Sequence, residues 1–111
     1  MIVTIVRHGQ AGAAATDEAR ELTAKGRDDI AAAAIQLPHL WGGRQLPGPT
    51  QIYHSAWRRT TQTAQILAQQ SSVVTAAFEP LLPGCCIADV DRGLTMLAGQ
   101  PDPIAHAVLV G

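Results

Sequence analysis

The chain has 111 residues, a formal net charge of −1 and 47 % hydrophobic residues, which makes one domain with room for a single core. That charge carries no electrostatic footprint of a nucleic-acid or membrane-surface partner. The one apolar N-terminal stretch is ended by Arg7 and is too short for a signal-peptide core or a membrane span, so the cytoplasm is the expected compartment.

The run from Ile2 to Val6 is short, rich in β-branched residues and without helical period, and predicts a buried strand. Arg7-His8-Gly9 follows it directly. A histidine there stands at the rim of a sheet, where open α/β folds hold their ligands. The adjoining arginine supplies a permanent fork-shaped cation, and the glycine permits a sharp turn and close approach to a ligand. A polar loop from Gln10 to Leu22 comes next. Thr23 is expected to cap a helix to about Leu37, with Ile30, Ala33, Ala34 and Leu37 on one face. Pro38, Gly42-Gly43 and Pro47-Gly48-Pro49 predict a turn-rich connection.

Thr50 to His54 predicts a second strand. Ser55 is expected to cap a helix from about Trp57 to Gln70, with Thr63, Ile66 and Gln70 along one stripe. Ser72 to Ala76 predicts a third strand, and a loop through Pro80 and Pro83-Gly84 leads to a helix from about Asp89 that points Val90, Leu94 and Leu97 inward. Gly99 ends that helix, Pro101 and Pro103 stop it resuming, and Ala107 to Val110 predicts a fourth strand. Asp28, Asp29, Asp89 and Asp91 read as charges at helix starts. Adjacent Cys85 and Cys86 have neither zinc-site nor disulfide spacing and are expected to be small buried hydrophobes. Strands alternating with helices predict a largely parallel sheet covered on both faces.

The block from His54 to Ala64 runs from a strand end into a helix start and sets Arg59 in the first helical turn, beside free N–H groups and the positive end of the helix dipole. Parallel strands bring this helix start to the same sheet edge as His8. Two arginines, an imidazole and a helix N-terminus suit a phosphoryl group.

Arg7-His8-Gly9 after an N-terminal strand, with Ser55-x-x-x-Arg59-x-x-Gln62-Thr63-Ala64 further on, resembles the histidine phosphatase (phosphoglycerate-mutase-like) superfamily. Arg20-x-Leu22-Thr23-x-x-Gly26, together with Ala11 where many members carry Thr or Ser, is similar to the SixA-type phosphohistidine phosphatases within it. The resemblance implies a three-layer α/β/α fold with a mainly parallel sheet, the fourth strand lying between the first and second. It implies His8 as the nucleophile and Arg7 and Arg59, with His8, as the phosphate-binding set. The attacking imidazole must be neutral, and the cations stabilise the transferring oxygens without a metal or other cofactor.

By the same resemblance the chain corresponds to the N-terminal portion of a histidine phosphatase domain. The family's second histidine follows a late strand; Ala107 to Val110 resembles that strand, and the sequence stops at Gly111. Strands expected beyond it would cover the far side of the first strand, leaving an unpaired edge. Glu79 lies where many members carry a proton-donating carboxylate, in loose alignment only. His106 lies on the wrong side of that late strand to be the second histidine, and His39 and His54 read as solvated or hydrogen-bonded structural residues. The expected function is removal of phosphate from a histidine-phosphorylated protein. The alternatives are a phosphatase for small phosphomonoesters and a non-catalytic module that binds phosphate or phosphoprotein.

Overall fold

Ile2–Val6 (β1) and His106–Val110 (β4) pair in parallel, and β4 pairs in parallel on its other side with Thr50–His54 (β2). Thr75–Ala77 (β3) completes the sheet beyond β2, giving the order β1-β4-β2-β3. The computed structural model describes residues 2–40, 50–71, 73–82, 84–101 and 104–111. The predicted turns at Gly42-Gly43 and Pro47-Gly48-Pro49 lie outside the described residues, as do Ser72, Pro83 and Pro103.

Alternation along the strands sends Ile52, Val108 and Val110 to one face, and Tyr53, Ala107 and Leu109 to the other. On the first face they pack with Ile30 and Ala34 of Ala24–Leu40 (α1) and with Ala64 and Leu67 of Arg58–Ser71 (α2). On the second they pack with Phe78 and with Val90, Leu94 and Leu97 of Ile87–Ala98 (α3). The result is the three-layer α/β/α arrangement, with all five residues of β4 buried at its centre. Burying one such aliphatic side chain contributes about 1.5–3 kcal/mol.

Several expectations are corrected. β1 is not the buried strand its composition predicted: among the described residues it is the edge strand that the resemblance implied, and Ile5 is 80 % exposed. α1 runs through Pro38 to Leu40, because a proline in the last turn removes only one hydrogen bond. Ala33 is exposed, and the buried side of α2 carries Arg59, Thr60, Thr63, Ala64 and Leu67, with Ile66 only half-buried. The side chains of His39 and Gln70 lie outside the described residues. Ser55 does not cap α2. It is buried, its hydroxyl bonds the Thr60 hydroxyl, and Trp57 is the residue whose carbonyl accepts the first bond, from the Thr61 N–H at 3.0 Å.

β3 begins three residues late, since Thr75–Ala77 is the stretch that meets Ile52–His54. α3 begins two residues early because Asp89 accepts from both the Cys86 N–H and the Cys86 thiol. That capping role keeps Cys86 at the surface, and Cys85 is exposed beside it, so neither is a core hydrophobe. Asp28 and Asp29 stand beyond the first turn of α1, where Asp29 pairs with Lys25 at 2.8 Å.

Candidate active site

The sheet register sets the geometry. Val6 and His54 both align with Val110, so β1 and β2 end level and the segments after them leave at the same edge. Arg7 and His8 follow β1; Arg58 and Arg59 open α2. β4 continues the pairing beside them, with the His8 N–H donating to the Gly111 carbonyl at 2.9 Å and the Gly111 N–H donating to the Val6 carbonyl at 3.1 Å.

Thr63 joins the two segments. Its hydroxyl accepts from the Gly9 N–H at 3.2 Å and donates to the Arg59 carbonyl at 2.8 Å. Gly9 serves packing: a Cβ there would sit 2.9 Å from the Gly26 carbonyl oxygen and 2.8 Å from Ile30. The close approach expected at this glycine is therefore to α1. Gly26 answers it, since a Cβ there would run into the Gln10 backbone. Thr23 caps α1 as expected, accepting from the Gly26 N–H at 2.9 Å.

The half-buried His8 ring donates from Nδ1 to the Gly9 carbonyl at 2.8 Å. In a neutral ring that bond leaves the lone pair on Nε2, the tautomer a nitrogen nucleophile needs. Arg7 is exposed. The Arg59 side chain is only 10 % exposed, and its guanidinium stacks on Trp57 at 4.6 Å from the ring centroid. Its Nη1 donates to the Asp17 carbonyl at 2.8 Å, and both η nitrogens face the Asp17 carboxylate at 3.3 and 3.4 Å.

Asp17 is one of several residues that fold the loop after His8 onto α2. The hydrogen bond from Arg20, with the Arg59 charge adding to it, holds the Asp17 carboxyl below the usual carboxylate range. Arg20 also donates to the carbonyls of Gly12 at 2.8 Å and Ala11 at 3.2 Å. Gln62 accepts from the Leu22 N–H, and Arg58 pairs with Glu21, each at 2.8 Å. The start of α2 is less open than the sequence suggests, because the Arg58 N–H donates to the Glu18 carbonyl at 3.2 Å. Thr16, Glu18, Arg58, Thr61 and Gln62 line a cavity of about 540 Å³ at this junction.

The other candidates fall elsewhere. Glu79 is exposed just past β3 and lines a separate cavity of about 520 Å³ with Cys85, Asp89 and Arg92. His54 is buried and donates from Nδ1 to the Ser55 carbonyl at 2.7 Å, a structural role. His106 lies at the amino end of β4, the far edge of the sheet from His8. Among the described residues no three of His, Cys, Asp and Glu stand close enough to hold a metal ion. Asp17 went unnoticed in the sequence; its one signal was an acid three residues before Arg20.

Residues 3–95 match the family model of the histidine phosphatase superfamily, branch 1. The chain belongs to that superfamily. Its fold also matches those of solved phosphatases. One is described as a phosphohistidine phosphatase, SixA, from Nakamurella multipartitia (TM-score 0.73, 26 % identity, 98 % of this chain, 57 % of that one). Another is the protein histidine phosphatase SixA complexed with tungstate (TM-score 0.81, 24 % identity, 100 % of this chain, 69 % of that one). A third is a mycobacterial glucosyl-3-phosphoglycerate phosphatase (TM-score 0.63, 20 % identity, 96 % of this chain, 71 % of that one). The chain thus spans a little over half the length of the Nakamurella protein. No curated protein sequence matches it.

Proposed function

We propose that this histidine phosphatase chain carries the phosphoryl-binding half of a cytoplasmic phosphohistidine phosphatase. Nε2 of His8 attacks phosphorus in line, the bond to the leaving nitrogen breaks with its electron pair, and a phosphohistidine forms on His8. Water then attacks that phosphorus, His8 leaves, and inorganic phosphate is released. Arg7 and Arg59 neutralise the charge spread over the equatorial oxygens. The observation that carries the reading is the level ending of β1 and β2, with Thr63 tying the turn at Gly9 to the helix that bears Arg59. The similarity to SixA proteins favours a histidine-phosphorylated protein as substrate. The fold shared with a sugar-phosphate phosphatase supports small phosphomonoesters as the second reading.

The test is exposure to a radiolabelled phosphohistidine protein and, separately, to a sugar phosphate. We expect released phosphate and a transiently labelled chain from the first, and neither from His8→Ala. Faster turnover of the sugar phosphate would install the second reading. Phosphate-protected melting without turnover or label would leave a binding module.

A further inference from the structure

We infer that Asp17 is a positioning residue for Arg59, an inference that rests on the proposed phosphate-binding role of Arg59. A guanidinium offers two edges for anions: the end formed by Nη1 and Nη2, and the side formed by Nε and one Nη2 hydrogen. Among the described residues, Asp17 takes only the end, through its carbonyl oxygen at 2.8 Å and its two carboxylate oxygens at 3.3 and 3.4 Å. The Trp57 ring covers one face of the guanidinium, and the side chain is almost wholly buried. Arg59 is therefore held on an edge and a face, and among the described residues no protein hydrogen bond takes its Nε side, the edge left for a phosphoryl oxygen.

Asp17 itself is anchored from the other direction. Arg20 binds its carboxylate at 3.1 Å and the carbonyls of Ala11 and Gly12, just after Arg7-His8-Gly9. One carboxylate thus sets the guanidinium of α2 against the turn that follows β1. A cation fixed before its ligand arrives loses little rotamer freedom on binding, which is where the affinity gain lies.

The sign of one measurement decides between this role and simple charge competition. As a competitor, Asp17 would weaken phosphate binding, and its removal would tighten it. As a positioning residue it strengthens binding, and its removal weakens it. Inorganic phosphate is titrated calorimetrically into the parent chain, Asp17→Asn, Asp17→Glu and Arg59→Ala, with melting recorded in phosphate-free buffer.

We expect Arg59→Ala to abolish measurable binding and Asp17→Asn to weaken it about tenfold, with binding read well below a melting temperature that itself falls because the buried Arg59 charge loses its carboxylate. Asp17→Glu keeps the charge but shifts it by a methylene, and should fall between. If Asp17→Asn does not fold, Asp17→Glu decides alone: weaker binding than the parent supports the role, equal or tighter binding overturns it. Equal or tighter binding by Asp17→Asn, with Arg59→Ala still inactive, overturns the positioning role and leaves the proposed function standing. Unchanged binding by Arg59→Ala, or none by the parent chain, removes both.

Discussion

The ring of His106 is fully buried, with Nε2 2.8 Å from the Thr4 hydroxyl and Nδ1 3.4 Å from that of Thr50. Burial disfavours its charged form and pushes its pKa below the usual 6.5. The sign follows from proton counting. Below pH 6.5 the unfolded chain binds a proton at this site that the folded chain does not, so this histidine lowers stability as pH falls from there toward its depressed folded value. Denaturant unfolding at a series of pH values should show that loss, bounded by about 1.4 kcal/mol per pH unit. His106→Gln should flatten the slope; parallel slopes for the two chains would refute the account. The sequence set His106 aside as the second histidine because it precedes the strand. Its burial depended on Thr4 and Thr50, which are remote in sequence.

At the scale of elements, the junction of the β1–α1 loop with α2 rests on few polar pegs. Thr63 is the deepest, fully buried and bonded to the Gly9 N–H. Replacing it with isosteric valine strands that donor, at about 1–3 kcal/mol. Thr63→Val should lose stability in that range by chemical denaturation and bind phosphate more weakly, while Thr63→Ser retains most of both. Thr23-x-x-Gly26 was legible as a helix start because capping is local chemistry. That Gly26 backs onto Gln10, and Gly9 onto Ile30, was not legible, because each glycine answers a surface supplied by another element. α2 shows the same limit. Its helical character was read correctly, but its buried side turned out to include Arg59, whose guanidinium finds its partners in Asp17 and Trp57.

At the scale of the whole molecule, the sheet formed by the described residues ends on one side at β1, where Ile2, Val3 and Ile5 are exposed. A β-branched edge with free backbone groups is a template for pairing with another chain. Ile5→Lys places a charge at the most exposed of these positions. Sedimentation velocity should show less self-association than the parent chain at matched concentration, with the melting temperature little changed. Equal association would place the contact elsewhere. No helix among the described residues is long and apolar enough to cross a membrane.

The sequence alone determined the alternation of strand and helix and the local signals at Thr23 and Gly99, because periodicity and capping depend on neighbours a few positions apart. Through its resemblance it also led to the strand order and to His8, Arg7 and Arg59 as candidates. The tertiary structure alone decided that Cys85 and Cys86 are not core, and that Asp17 holds Arg59. Those outcomes depend on which surfaces meet across distances that no local pattern encodes.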